Sequence, residues 1–188
     1  MSRLIIFLGP PGAGKGTQAI KIAEKFNLAH ISTGDMLRNH VTNNTSLGIM
    51  AKSLLDQGKL VPDELVIRML KERLEENDCK NGAILDGFPR TLPQAISLHE
   101  LQSYFPIEKV IVFEAAEEEL IKRILNRGEI SGRSDDTESS ISVRLDSYKN
   151  DTQPLVDYYE KQNIVEKINA VGNVDEIHEY ISSKLLNS

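Results

Sequence analysis

Short apolar runs recur along the chain, each closed by turn residues and followed by a stretch of helical periodicity. Residues 4–8 are continuously apolar and run into Gly9-Pro10-Pro11-Gly12, as a strand buried on both faces would. Ala19, Ile22, Ala23 and Phe26 then fall at helical spacing and predict a helix over 14–26. Residues 29–31 form a candidate second strand, and 33–78 read as helix in pieces, broken at Asn43-Asn44, Gly58 and Pro62. Further strands are predicted at 83–85, at 109–113, which is rich in β-branched residues, and at 164–168. Helices are predicted over 91–103, 116–127, 138–161 and 173–186, with Pro154 breaking or kinking the third. Strands alternating with helices imply an α/β fold, a parallel sheet covered on both faces. Ligands of such sheets bind beyond the carboxyl ends of the strands.

Composition adds limits to this picture. The chain has 188 residues, 40% of them hydrophobic, enough for one domain with a sizeable core. Its net charge of −6 argues against nucleic acid and anionic membranes as partners, but not against a small anion met by a local basic cluster. A lone Cys79 excludes a disulfide framework and a four-cysteine metal site. The first apolar run is too short for a signal segment, and no run approaches the ~20 residues of a membrane span. The expectation is a soluble cytoplasmic protein.

The first strand's turn carries the strongest chemical signal. Gly9-Pro10-Pro11-Gly12-Ala13-Gly14-Lys15-Gly16-Thr17 contains Gly-x-x-x-x-Gly-Lys between a strand and a helix, the context a phosphate loop requires. Glycines let backbone N–H groups turn inward, the helix N-terminus favours an anion, and Lys15 supplies a cation. Gly16 stands where such loops usually carry a Ser or Thr for Mg²⁺, and Thr17 follows one position later.

Other segments are open to ordinary and to chemical readings. Ser32 with Asp35 three residues later looks like a helix start, with Arg38 beyond. Gly58 and Pro62 read as a helix end and the next helix start. Asp86 ends an apolar strand and suits Mg²⁺ held through water; Arg90 can fork onto a phosphate, and Gln94 offers both a donor and an acceptor to a base edge. Arg123 and Arg127 share a helix face at i, i+4. Arg133 lies in a polar loop, Arg144 on the helix after it, and Asp135 with Glu138 could form that helix's capping box. His30, His40, His99 and His178 are scattered and read as structural or surface residues, and Glu117-Glu118-Glu119 as an acidic first turn.

Taken in order, these motifs resemble the nucleoside monophosphate kinases, in the adenylate kinase form with a short lid. The resemblance implies a P-loop three-layer core (1–31, 62–127 and 138–188), a helical AMP-binding flap (32–61) and a short lid (128–137). It implies reversible transfer from Mg·ATP to AMP, giving two ADP, by a protein that is usually a monomer. ATP would meet Gly12, Ala13, Gly14, Lys15, Gly16, Thr17 and Arg127, with Gly172 near its adenine. AMP would meet Thr33, Arg38, Lys59, Leu60, Val61, Gly87, Phe88, Pro89, Arg90 and Gln94, with Arg133 and Arg144 reaching it from the lid side. Lys15, Arg90, Arg123, Arg127, Arg133 and Arg144 would act on the transferring group, and Asp86 would help hold Mg²⁺ through water. The short lid and single cysteine leave no place for an inserted zinc site. Thr33 and Gln94 favour AMP over UMP or CMP; a uridylate/cytidylate kinase is the alternative within the family. A P-loop GTPase would need a hydroxyl residue after Lys15 and an Asn-Lys-x-Asp segment, and neither is present. A non-catalytic nucleotide-binding scaffold would have no need of so many placed arginines.

Overall fold

The computed structural model describes residues 3–186. Five parallel strands form one sheet in the order β2-β3-β1-β4-β5. They are β1 (Arg3–Leu8), β2 (Ala29–Ser32), β3 (Gly82–Asp86), β4 (Ile107–Glu114) and β5 (Val165–Asn169). The unbroken apolar run of β1 reflects its central place. Ile5 and Phe7 point to one layer, Leu4, Ile6 and Leu8 to the other, and all are buried. Burying such side chains stabilises by about 1.5–3 kcal/mol each.

One face of the sheet is covered by α1 (Lys15–Phe26), α6 (Glu117–Ser131), α7 (Glu138–Ser147) and α9 (Val174–Leu186). The other is covered by α4 (Asp63–Leu74), α5 (Leu92–His99) and α8 (Pro154–Glu160). Between β2 and α4 lie α2 (Thr33–Thr42) and α3 (Ser46–Asp56). The predicted breaks at Asn43-Asn44, Gly58 and Pro62 all separate helices, and Ser32 caps α2 by accepting from the Asp35 N–H at 3.3 Å. Among the described residues no helix is long and apolar enough to cross a membrane.

Four boundaries differ from expectation. The helix predicted over 91–103 ends at His99; turns follow, and Pro106 then accepts from the Leu4 N–H at 2.8 Å beside β1. The helix predicted to stop at residue 127 continues to Ser131, so the first four residues of the expected loop are helical. Gly128 is a packing residue there, since a Cβ would lie 2.8 Å from the Asp136 carbonyl oxygen, and Gly132 at φ 62° ends the helix instead. The helix predicted over 138–161 widens into a π-helical turn over 148–152, where the Gln153 N–H donates to the Tyr148 carbonyl at 2.8 Å. Pro154 has no N–H and opens α8. Finally, α7 is capped by Thr137 with Ser140, not by Asp135 with Glu138. Thr137 is one residue closer to the helix, and the Asp135 side chain faces arginines.

Gly48 shows packing overriding propensity. A Gly-to-Ala change inside a helix ordinarily gains about 0.8–1 kcal/mol. At Gly48 the new Cβ would lie 2.0 Å from the His40 carbonyl oxygen, where α3 crosses the end of α2. Overpacking of this kind costs about 1–3 kcal/mol. Gly48→Ala is therefore expected to destabilise the α2–α3 pair, read as faster amide hydrogen exchange across 33–56.

Candidate active site

The carboxyl ends of β1, β2 and β3 open onto a cleft of about 360 Å³. After Leu8 the chain passes through Gly9, Gly12 and Gly14, all at positive φ, and enters α1 at Lys15. The loop is wedged in place: a Cβ on Gly9 would lie 2.8 Å from Phe113, and one on Gly12 2.8 Å from the Leu120 carbonyl. No side chain caps α1, and its first turn has no acid. Its leading N–H groups and positive end are thereby left to an anion. The Lys15 ammonium donates to the Gly9 and Pro10 carbonyls, both at 2.8 Å. Burial holds its pKa down to about 8; Asp86 opposes the shift, and Arg90, Arg144 and Arg127 add to it.

Asp86 ends β3 beside this loop. A Cβ on Gly16 would come within 3.2 Å of its Oδ2. Gly16 thus lets the carboxylate approach the loop, which gives a steric reason for the missing Ser or Thr. An oxygen donor beside a phosphate cradle suits Mg²⁺, which prefers oxygen ligands and keeps much of its water. His30, read from sequence as structural or surface, lines the cleft with Nε2 3.5 Å from Asp86 Oδ2 and without a hydrogen bond.

The turn after β3 is built on one carbonyl. Gly87 O accepts from Thr33 Oγ1 and from Arg90 Nε, both at 2.8 Å. The Phe88–Pro89 peptide is cis. Burial lowers the pKa of Arg90, and Arg144 lowers it further. Thr91 caps α5 by accepting from the Gln94 N–H. The Gln94 side chain accepts from the Arg90 N–H at 2.8 Å and donates to Asp63 Oδ1 at 2.7 Å. Thr152, in the π-helical turn, donates to the Arg90 carbonyl at 2.8 Å. No sequence signal pointed to Asp63 or Thr152.

Arginines close the remaining wall, each met by an acid. Arg127 forks onto Asp136 at 2.6 and 2.7 Å. Arg144 donates to Asp136 Oδ1 at 2.6 Å and to the Asp135 carbonyl at 2.7 Å. Arg38 pairs with Asp35 and lies 3.7 Å from Asp135. Arg133 reaches the same Asp35 at 3.1 Å, and Ser134 donates to Asp56 at 2.6 Å. These last contacts join segment 128–137 to segment 32–61. Burial raises the Asp35 and Asp136 pKa values, but hydrogen bonds from Arg38 to Asp35, and from Arg127 and Arg144 to Asp136, outweigh it and hold both carboxyls below their ordinary range. Local pattern marks Asp35 and Asp135 only as helix-start residues and not as partners of these arginines.

Most of the sequence candidates line this one cleft. From the loop come Gly12, Gly14, Lys15, Gly16 and Thr17; from segment 32–61, Thr33, Arg38, Lys59, Leu60 and Val61. Asp86, Gly87, Pro89, Arg90 and Gln94 follow, with Arg127, Arg133 and Arg144. Ala13 and Phe88 are buried in the core and do not line it. Gly172, at φ 138°, also falls outside the lining. Arg123 is turned away: its Nε donates to Glu119 at 2.7 Å and its Nη1 to the Ala170 carbonyl at 2.9 Å. Helical spacing puts Arg123 on the same face as Arg127, but Glu119 one turn earlier and the end of β5 capture it.

A phosphate loop facing an arginine cluster across the carboxyl edge of a parallel sheet has the layout of a P-loop nucleoside monophosphate kinase. A family model for adenylate kinase matches residues 7–164. The chain is 50% identical over 179 residues to an adenylate kinase of Leptospira biflexa, covering 94% of this chain and 96% of that one. It is 44% identical over 183 residues to one from Bifidobacterium longum (96% and 98% covered). It is 43% identical over 187 residues to one from Thermus thermophilus (98% of both). The chain belongs to the adenylate kinase family.

Asp136, whose side chain is fully buried, ties two arginines together. Removing one member of a buried pair costs about 3–5 kcal/mol; Arg127 is 34% exposed, which brings the figure for Asp136→Ala to about 1–3 kcal/mol. Because the folded pKa is depressed, the carboxylate's contribution is full above about pH 4 and is lost as pH falls through the folded value. Urea unfolding at neutral pH should separate wild type from Asp136→Ala, and the gap should close on acidification below pH 4.

Proposed function

We propose that the chain catalyses reversible phosphoryl transfer from ATP to AMP, with the residues of this cleft in the roles below. The observation that carries the reading is a single cleft holding both a phosphate loop with its lysine and five arginines, Arg38, Arg90, Arg127, Arg133 and Arg144. Two phosphorylated molecules brought together concentrate enough negative charge to satisfy such a set.

The AMP phosphate oxygen attacks the γ-phosphorus of ATP; the bond from that phosphorus to the β–γ bridging oxygen breaks, and the products are two ADP. A phosphate monoester's second pKa is ~6, so the nucleophile is already ionised near neutrality and needs no general base. Catalysis is alignment and charge stabilisation. Loop N–H groups and Lys15 hold the ATP phosphates, whose charge keeps the buried ammonium protonated. Arg38 and Arg90 hold the AMP phosphate. Arg127, Arg133 and Arg144 stabilise the group in transfer; Arg123 joins them only by leaving Glu119 and Ala170. Thr33, Val61 and Gln94 face the AMP base. Asp86 would hold hydrated Mg²⁺, which neutralises charge on the ATP phosphates when bound. Segments 32–61 and 128–137 act as flap and lid; the family's lid closes over its substrates and excludes water that would hydrolyse ATP.

An acceptor panel with ATP as donor should rank AMP above UMP and CMP; the reverse order would favour the uridylate/cytidylate reading. Arg90→Ala and Lys15→Ala should each lower kcat by orders of magnitude while leaving far-UV circular dichroism unchanged. Near wild-type turnover in either would remove that residue from its role.

A further inference from the structure

A primary amide has nearly the same shape after a half-turn, yet the turn exchanges its donor and its acceptor. A glutamine that reads a base edge must therefore be held in one orientation. Gln94 is 2% exposed and is held from both sides. The Arg90 backbone N–H, which can only donate, meets Oε1 at 2.8 Å. The Asp63 carboxylate, which can only accept, meets Nε2 at 2.7 Å. Both partners select the same orientation. Oε1 keeps a second lone pair and Nε2 a second proton for a ligand. Gln94 and Arg90 line the cleft, whereas Asp63 does not: it is the first residue of α4 and stands behind the amide.

The held amide offers an acceptor and a donor in fixed order. The Watson–Crick edge of a 6-aminopurine answers with the N6–H donor and the N1 acceptor. A 6-oxopurine presents the O6 acceptor and the N1–H donor, the reverse. To match it the amide must flip, which would set its NH₂ against the Arg90 N–H and its oxygen against the Asp63 carboxylate. Two hydrogen bonds would become two repulsive contacts. We propose that Asp63 is a positioning residue that holds the Gln94 amide in the orientation that selects 6-aminopurine over 6-oxopurine monophosphates. The inference rests on the reading that Gln94 faces the acceptor base.

AMP and IMP differ only at this edge, so their kcat/KM ratio is the measurement. Asp63→Asn keeps the shape, but its own amide can pair with Gln94 in either orientation. The AMP-to-IMP ratio should fall by about tenfold or more, scaled to the discrimination a buried polar site gives, with IMP improving and KM for ATP unchanged. Asp63→Ala removes the acceptor and should lower the ratio as well; if it does not fold, Asp63→Asn decides alone. A merely structural role would weaken AMP and IMP alike and leave the ratio in place. A ratio within twofold of wild type in the folded variants overturns the proposal. A wild type that does not prefer AMP to IMP instead overturns the adenine reading beneath it, and this inference with it.

Discussion

Everything around the cleft answers one electrostatic constraint: several guanidinium groups and a buried ammonium are held close together in a partly dry site. Like charges there repel more strongly than in water, since the field is less screened. The depressed pKa values of Lys15 and Arg90 register that stress, with burial the larger cause in both. Asp35, Asp135 and Asp136 relieve part of it by pairing with Arg38, Arg127, Arg133 and Arg144. Lys15, by contrast, is met by neutral carbonyls, with Asp86 as the acid that opposes its shift. In the proposed reading, phosphates would supply the charge it lacks, and substrate binding and charge relief would be one event. The net charge of −6 is consistent with this once the distribution is considered: the acid excess is spread over the chain and the arginines are gathered at the cleft.

The ordinary core makes that arrangement possible. Phe7 and Phe113 pack at 5.1 Å between ring centroids beneath the loop, and Gly9 presses on Phe113. The loop's shape is thus braced by the sheet's packing. Gln18 adds a tie from α1 to the start of α9, donating to the Val174 carbonyl at 2.8 Å. A rigid sheet edge presents the loop, Asp86 and Ser32 at the ends of three adjacent strands, which is what a site needing close alignment requires.

The parts legible in the sequence were those written in local pattern. The β1 run, the glycine loop, the Ser32 cap and the breaks at Gly58 and Pro62 each depend on residues within a few positions of one another. What escaped depends on partners far along the chain. Asp135 looked like a cap because its role is set by Arg144 and Arg38, and the helix expected to stop at 127 runs on because Gly128 packs on Asp136, a contact no local pattern shows. Arg123 had the spacing of a cleft residue but is held by Glu119 and the Ala170 carbonyl. The donor and acceptor of Gln94 were readable, while the two groups that meet them, the Arg90 N–H and Asp63, were not.

The contacts holding the arginine wall differ in strength, and the difference decides which part can move. Arg127 and Arg144 meet at a carboxylate with no exposure, so separating them leaves buried charge uncompensated. Arg133 meets Asp35, a half-exposed carboxylate, and Ser134 meets Asp56 at the surface. A partly exposed ion pair such as Arg133–Asp35 is worth about 0–1 kcal/mol. Segment 128–137 is therefore anchored firmly at its Asp135-Asp136 end, and it meets segment 32–61 through the more exposed Arg133 and Ser134 contacts and through Asp135, 3.7 Å from Arg38. Breaking the exposed contacts costs little, while the arginines fixed by Asp136 stay in place. The proposed reaction, which would admit two charged substrates and then exclude water, fits that division: exposed bonds across the mouth of the cleft and buried ones behind it.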